Sequence, residues 1–238
     1  TMHSLVPRDE NGRSNYRMGA LRPNQFGVDD AHVVEYVDSI AQASGEFLQI
    51  VNFNLAGAQY AVAGTVAGLK ALEEDATKRA AERGGKRPFM YVPGIDVPFH
   101  STVLRSGVAD FRTKLDERIP AEIDPAKLVG RYIPNLVARP FELTREFAQS
   151  ILDVVPSETV RELLEVPGAW DAALANPGAL TRTLLIELLC WQFASPVRWI
   201  ETQRAVLSTE EAAPGVAGLG VDQVIEVGLG AAPTLANL

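Results

Sequence analysis

Apolar positions recur along this chain at two spacings, about 2 residues and about 3.6 residues, and the switches between them mark out its elements. Asn15-Tyr-Arg-Met-Gly-Ala-Leu predicts a short strand closed by Pro23-Asn24. Asp29 or Asp30 then caps a helix with an apolar face of Val33, Val34, Val37, Ile40 and Ala41, and Gly45 stops it. Phe47-Leu-Gln-Ile-Val-Asn-Phe-Asn reads as a second strand, Ala56-Gly57 as a turn and Gln59-Tyr-Ala-Val-Ala as a third strand. Thr65 caps a second helix, with Glu74/Lys78 and Asp75/Arg79 as i,i+4 pairs on its solvated face and Gly84-Gly85 at its end. Arg87-Pro-Phe-Met-Tyr-Val-Pro is a fourth strand, interrupted by proline. The order strand, helix, strand, strand, helix, strand is the split β-α-β of a ferredoxin-like module, an architecture that hosts many functions.

Beyond residue 100 the pattern turns mainly helical. Leu104, Val108, Phe111 and Leu115 predict a helix starting near Ser101 or Thr102 and ending near Pro120. Gly130-Arg-Tyr-Ile-Pro-Asn-Leu-Val-Ala is strand-like, with Pro134 pointing to an edge or a kink. Helices come next around 142–152 and 158–164, the second capped by Ser157, and Asn176-Pro-Gly reads as a turn. The apolar run 180–193 has helical length and stops at Ser195-Pro196, after which Val197-Arg-Trp-Ile-Glu-Thr-Gln-Arg starts one more helix. Val221-Asp-Gln-Val-Ile-Glu-Val-Gly-Leu-Gly reads as a buried strand. There is no internal repeat and no low-complexity tract.

The junction between these halves carries the candidate chemistry. Gly94-Ile-Asp-Val-Pro-Phe-His-Ser puts His100 between a strand and a helix, where α/β folds expose side chains to ligands. A helix start carries partial positive charge, which keeps an imidazole neutral and suited to act as a general base. The competing reading is a helix cap or a solvated surface histidine. His3 falls in a frayed start, and His32 lies beside Val33 and Val34 in a structural setting. No pair of histidines has metal-ligand spacing and a single cysteine builds no thiolate site, so no metal is expected. No Gly-x-Ser-x-Gly elbow occurs; Ser101 reads as a cap, and Asp96 is a candidate to orient His100. Gly228-Leu-Gly230 has the form of a tight turn or a close approach to a ligand. Arg105, Arg112, Lys114 and Arg118 give the helix after His100 a basic, solvated side.

Composition narrows the class. The 238 residues are 47% hydrophobic and 22% charged, enough to bury a core as one large domain or two smaller ones. A net charge of −8 without any lysine/arginine run argues against a nucleic-acid partner. Cys190, between Leu189 and Trp191, reads as a buried thiol in a reducing compartment, and no apolar stretch is long enough to span a bilayer. Thr1-Met2-His3 does not open a signal peptide; the expectation is a cytoplasmic protein and a piece of a longer polypeptide.

Several segments in order resemble one family: Leu48-Gln-Ile-Val-Asn-Phe-Asn-Leu-Ala-Gly-Ala-Gln, then Val97-Pro-Phe-His-Ser, then Trp191-Gln-Phe-Ala-Ser-Pro-Val-Arg-Trp with Ile225-Glu-Val-Gly-Leu-Gly. They are similar to the malonyl-CoA:acyl-carrier-protein acyltransferases. Val6-Pro-Arg-Asp-Glu-Asn-Gly-Arg-Ser-Asn-Tyr and Gly130-Arg-Tyr-Ile-Pro-Asn-Leu-Val-Ala-Arg-Pro-Phe look like the malonyl/palmitoyl transferase region of type I fatty acid synthases of the fungal and actinobacterial kind. The resemblance implies an α/β fold, a partial α/β-hydrolase-like large subdomain with an inserted ferredoxin-like (βαββαβ) subdomain. Residues 1–14 would end the first part of the large subdomain, 15–95 form the insert, and 96–238 carry the rest with the histidine.

It further implies ping-pong transfer through an acyl-serine that lies upstream of this chain, with His100 as the dyad base. A backbone carbonyl between Gln192 and Ser195 would orient the ring, and Asn54 and Gln59 match pocket-side positions. The substrates would be malonyl-CoA or another acyl-CoA, with no bound cofactor, and phosphopantetheine would arrive on an acyl-carrier-protein partner. The remaining synthase polypeptide and a large homo-oligomer complete the implied partners. Without the upstream serine and carboxylate-binding arginine, the isolated chain is expected to be inactive. The alternatives are a polyketide-synthase acyltransferase and a non-catalytic ferredoxin-like docking module.

Overall fold

The first sheet arises from how turns and caps punctuate the N-terminal half. The computed structural model describes residues 2–227. Strand β1 (Tyr16–Leu21) leads to helix α1 (Val33–Ser44), strands β2 (Leu48–Leu55) and β3 (Gln59–Thr65), helix α2 (Val66–Arg83) and strand β4 (Phe89–Tyr91). The sheet order is β4-β1-β3-β2, with every one of these neighbours antiparallel. Two β-α-β units thus interlock, and both helices cover one face. The Thr65 hydroxyl accepts from the Gly68 N–H, a cap of about 1 kcal/mol. Gly45 and Gly84 end α1 and α2 in left-handed conformation, the backbone state glycine adopts without steric cost.

Two cores result. Leu21, Phe26, Val33, Tyr36, Val37, Leu69 and Leu72 fill the space between sheet and helices. Phe141, Phe147, Ile151, Leu180, Leu184 and Leu188 build a second, helical core with Val97 and Leu104. On the sheet face away from α1 and α2, Met18, Val51 and Ala63 pack against Ile95 and Phe99 of the segment leading to His100.

The helical half comprises α3 (Val108–Arg118), α4 (Arg145–Leu152), α5 (Glu158–Glu165), the short α6 (Ala169–Leu174) and α7 (Pro177–Gln192). The chain then returns to the sheet: β5 (Val197–Arg198) pairs parallel with β2 and leads into α8 (Trp199–Leu207). A small ladder of β6 (Glu211–Ala213) and β7 (Val216–Ala217) completes the described part. No helix among the described residues is long and apolar enough to cross a membrane.

Several local expectations give way to tertiary demands. Segment 130–138 is not a strand: the Pro134 carbonyl accepts from the Val137 and Ala138 N–H groups in a turn, with Gly130 and Ala138 at positive φ. Asn176-Pro-Gly starts α7 rather than making a turn, because the Asn176 side-chain oxygen accepts from the Ala179 N–H and Pro177 occupies the first helical turn. Val34 is exposed and Tyr36 takes its place in the core. Glu74 pairs with Lys70, not Lys78, while Asp75–Arg79 forms as expected. His32, rather than Asp29 or Asp30, occupies the cap position of α1; it is exposed and bonded to Asp29. The predicted strand beginning at Val221 does not form over the described residues: residues 221–227 form no strand, and Val224, Ile225 and Val227 are exposed. Gly228 and Gly230 lie outside the described residues.

Gly19 pairs with Val62 on one side and Tyr91 on the other, and a Cβ there would run into the Phe89 ring. Gly19→Ala is expected to cost about 1–3 kcal/mol by overpacking, measurable by urea denaturation of the 238-residue chain.

Candidate active site

His100 stands where three elements meet, and its backbone is unusual: φ is +62°, the left-handed region that L-residues enter at a cost of about 1–2 kcal/mol. Two hydrogen bonds compensate. The His100 N–H donates to the Phe193 carbonyl at 2.7 Å, and ring Nδ1 lies 2.9 Å from the Gln192 carbonyl oxygen. A carbonyl only accepts, so Nδ1 carries a proton and Nε2 of the neutral ring is the basic nitrogen. Nε2 has no hydrogen-bond partner among the described residues.

Both acceptors sit at the C-terminus of α7, where the last carbonyls of a helix lack internal partners. His100 therefore caps that helix end. A 3₁₀ segment, Thr102–Gly107, separates His100 from the beginning of α3. Ser101 does not cap it, since its hydroxyl donates to the Pro98 carbonyl at 2.6 Å. Gln49 of β2 takes over: its Oε1 accepts from both the Thr102 N–H and hydroxyl at 3.0 Å.

Asp96 does not orient the imidazole. The Arg8 guanidinium engages both its oxygens, at 2.6 and 3.2 Å, and holds its carboxyl below the usual range. This ion pair ties the N-terminal turn to the loop entering His100. His3, exposed, also touches Arg8. Arg112 is half-buried rather than fully solvated: it forms an ion pair with the buried Glu187 of α7.

Of the other candidates, Gln192 is brought to the histidine and Ser195 lies close by in sequence, with its hydroxyl buried and unpartnered among the described residues. Asn54 and Gln59 fall at the β2–β3 hairpin end, where the Asn54 carbonyl accepts from Gln203; no hydrogen bond links either to His100. Residues missed from sequence are Gln49 and Asn52. Asn52 pairs with Val197 and keeps a buried Oδ1 without a partner among the described residues. Polar side chains inside an otherwise apolar strand were the available signal. Cys190 is buried and free, and burial pushes its thiol up to about 12, which leaves it protonated and unreactive. No cluster that could hold a metal occurs among the described residues.

Comparison with known proteins supplies the family. No family model matches the chain. It is 41% identical over 239 aligned residues, 85% of its own length, to fatty acid synthase 2 of Mycosarcoma maydis. It is 33% identical over 207 residues, 69% of its length, to the fatty acid synthase β subunit of Saccharomyces cerevisiae. Among solved structures it superposes on an acyl-carrier-protein S-malonyltransferase of Burkholderia pseudomallei, with a TM-score of 0.50 and 22% identity, covering 84% of this chain and 45% of that one. FabD of Acinetobacter baumannii gives a TM-score of 0.50 at 18% identity, covering 85% and 46%. Over most of its length the chain is homologous to one segment of the fungal-type fatty acid synthases. Its α/β fold is that of the malonyltransferases, and it spans between 6% and 10% of the length of the synthases it matches.

Two outcomes test this geometry in the synthase segment. Because position 100 is left-handed, His100→Gly is expected to be more stable than His100→Ala by about 1 kcal/mol in chemical denaturation. The lowered carboxyl of Asp96 means the Arg8 pair adds stability above the unfolded aspartate value of about 3.9 and loses it as pH falls through the lower folded value. The melting-temperature gap between wild type and Asp96→Asn should therefore be present at neutral pH and close in strong acid.

Proposed function

We propose that this segment is the base-carrying part of a malonyl/acyl transferase site in a type I fatty acid synthase, moving acyl groups from coenzyme A to a carrier protein. The observation that supports it best is His100 itself: a strained histidine, its Nδ1 bonded to Gln192 and its Nε2 free to take a proton. The β4-β1-β3-β2 sheet with its two helices is read as the ferredoxin-like wall of the cleft, and residues 96–238 as part of the larger hydrolase-like body.

The reaction runs in two halves. His100 Nε2 accepts the proton of a serine hydroxyl as that oxygen attacks the thioester carbonyl; the C–S bond breaks, and Nε2 returns the proton to the departing coenzyme A thiolate. The phosphopantetheine thiol of the carrier then gives its proton to Nε2 and attacks the acyl-serine ester, and the serine oxygen leaves with that proton. The chain lacks a Gly-x-Ser-x-Gly elbow, so the serine comes from polypeptide outside these residues. Asn54 and Gln59 are pocket-side residues in this reading.

In the intact synthase, His100→Ala is expected to lower malonyl transfer by about 10²–10⁴-fold. The 238-residue chain alone should not turn over malonyl-CoA. Transfer unchanged by His100→Ala would instead fit a docking module without chemistry, and turnover by the isolated chain would move the nucleophile inside it.

A further inference from the structure

Glu187 is 1% exposed in the middle of α7, within the apolar run Leu184-Leu-Ile-Glu-Leu-Leu. Four hydrogen bonds converge on its carboxylate. Arg112 of α3 donates from Nε to Oε1 at 2.6 Å and from Nη2 to Oε2 at 2.9 Å. The Ser157 hydroxyl, whose oxygen also caps α5, donates to Oε2 at 2.7 Å, and Trp191 Nε1 at 3.3 Å. Three helices are thereby joined at one buried charge.

The location of this clamp matters. Glu187 precedes the two carbonyls that hold His100, those of Gln192 and Phe193, by about one and a half helical turns. Arg112 belongs to α3, the first α-helix that the chain enters after His100. The edge-on contact of Phe111 with Phe193, centroids 5.5 Å apart, lies on the same α3–α7 seam. Apolar packing along such a seam is non-directional, so it fixes the axial register less sharply than a directional pair does. A slide by one residue is about 1.5 Å, enough to break the bonds from Gln192 and Phe193 to His100. A bidentate guanidinium–carboxylate pair is directional and penalises such a slide. Buried ion pairs are often replaceable by hydrophobic residues without loss of stability, so stability alone does not account for this one.

The geometry points to Glu187 and Arg112 as positioning residues for the catalytic histidine: they fix the axial register of α7 against α3, and with it the carbonyls that set the tautomer and direction of His100. This rests on the reading of His100 as the base, but its test is independent of acyl transfer. In the 238-residue chain, ¹⁵N-resolved NMR would track solvent exchange of the His100 Nδ1–H alongside the melting temperature. Two variants are compared with wild type: Glu187→Gln, and the apolar double substitution Arg112→Met with Glu187→Leu. The double variant is expected to keep or raise its melting temperature while its Nδ1–H exchanges at least about tenfold faster. In the intact synthase the same variant should lower kcat with KM little changed. A folded double variant with Nδ1–H exchange within about twofold of wild type would overturn the proposal. So would failure of both variants to fold, which would make the pair a folding determinant instead. Should exchange rise while malonyl transfer stays intact, the clamp stands and the reading of His100 as the base falls.

Discussion

The two hydrogen bonds from His100 to the end of α7 are the constraint on which the rest depends. They compensate a left-handed backbone that would otherwise be disfavoured, select the ring tautomer and complete a helix terminus that would otherwise expose unpaired carbonyls. Each partner solves the other's problem. The helix needs donors at its C-terminus, and the histidine needs an acceptor that leaves Nε2 free. No carboxylate takes part: the acidic residue nearest in sequence, Asp96, is bound to Arg8. The orienting acceptor is therefore a neutral backbone carbonyl.

That arrangement requires two bodies to meet accurately. The loop into His100 packs through Ile95 and Phe99 on the open face of the sheet, whereas α7 belongs to the helical core. Gln49 reaches from β2 to the first turn after His100, and β5 brings the chain beyond α7 back to the sheet edge beside β2. The site thus lies along the seam of both cores, stitched by polar contacts that specify register and by apolar contacts that supply most of the burial energy. The buried Asn52 and Ser195 oxygens on this seam are polar groups still without partners among the described residues.

Much of this was legible in the chain. The β2–β3–α2 unit announced itself because alternation, a glycine turn and the Thr65 cap all agree, and His100 because a strand–turn–helix signal surrounds it. Segment 130–138 misled because Tyr132, Ile133, Leu136 and Val137 look like strand residues, while Pro134 and two positive-φ residues turn the backbone. Asn176-Pro-Gly has the same residue types at a turn as at a helix start, and only the length of the apolar run after it decides. The acceptor for His100 lies 92 residues away, beyond any local pattern. Arg112 looked solvated because a helix face reveals charge but not its partner; a lone glutamate in the apolar run of α7 was the sign that a cation must reach in to pair with it.

The most direct measurement is an experimental structure of the intact synthase, read at His100. The account requires a serine hydroxyl within about 2.6–3.2 Å of Nε2, with Nδ1 still bonded to the Gln192 carbonyl. A ring turned so that Nε2 faces protein without any hydroxyl in reach, or an Nδ1 released from α7, would contradict it.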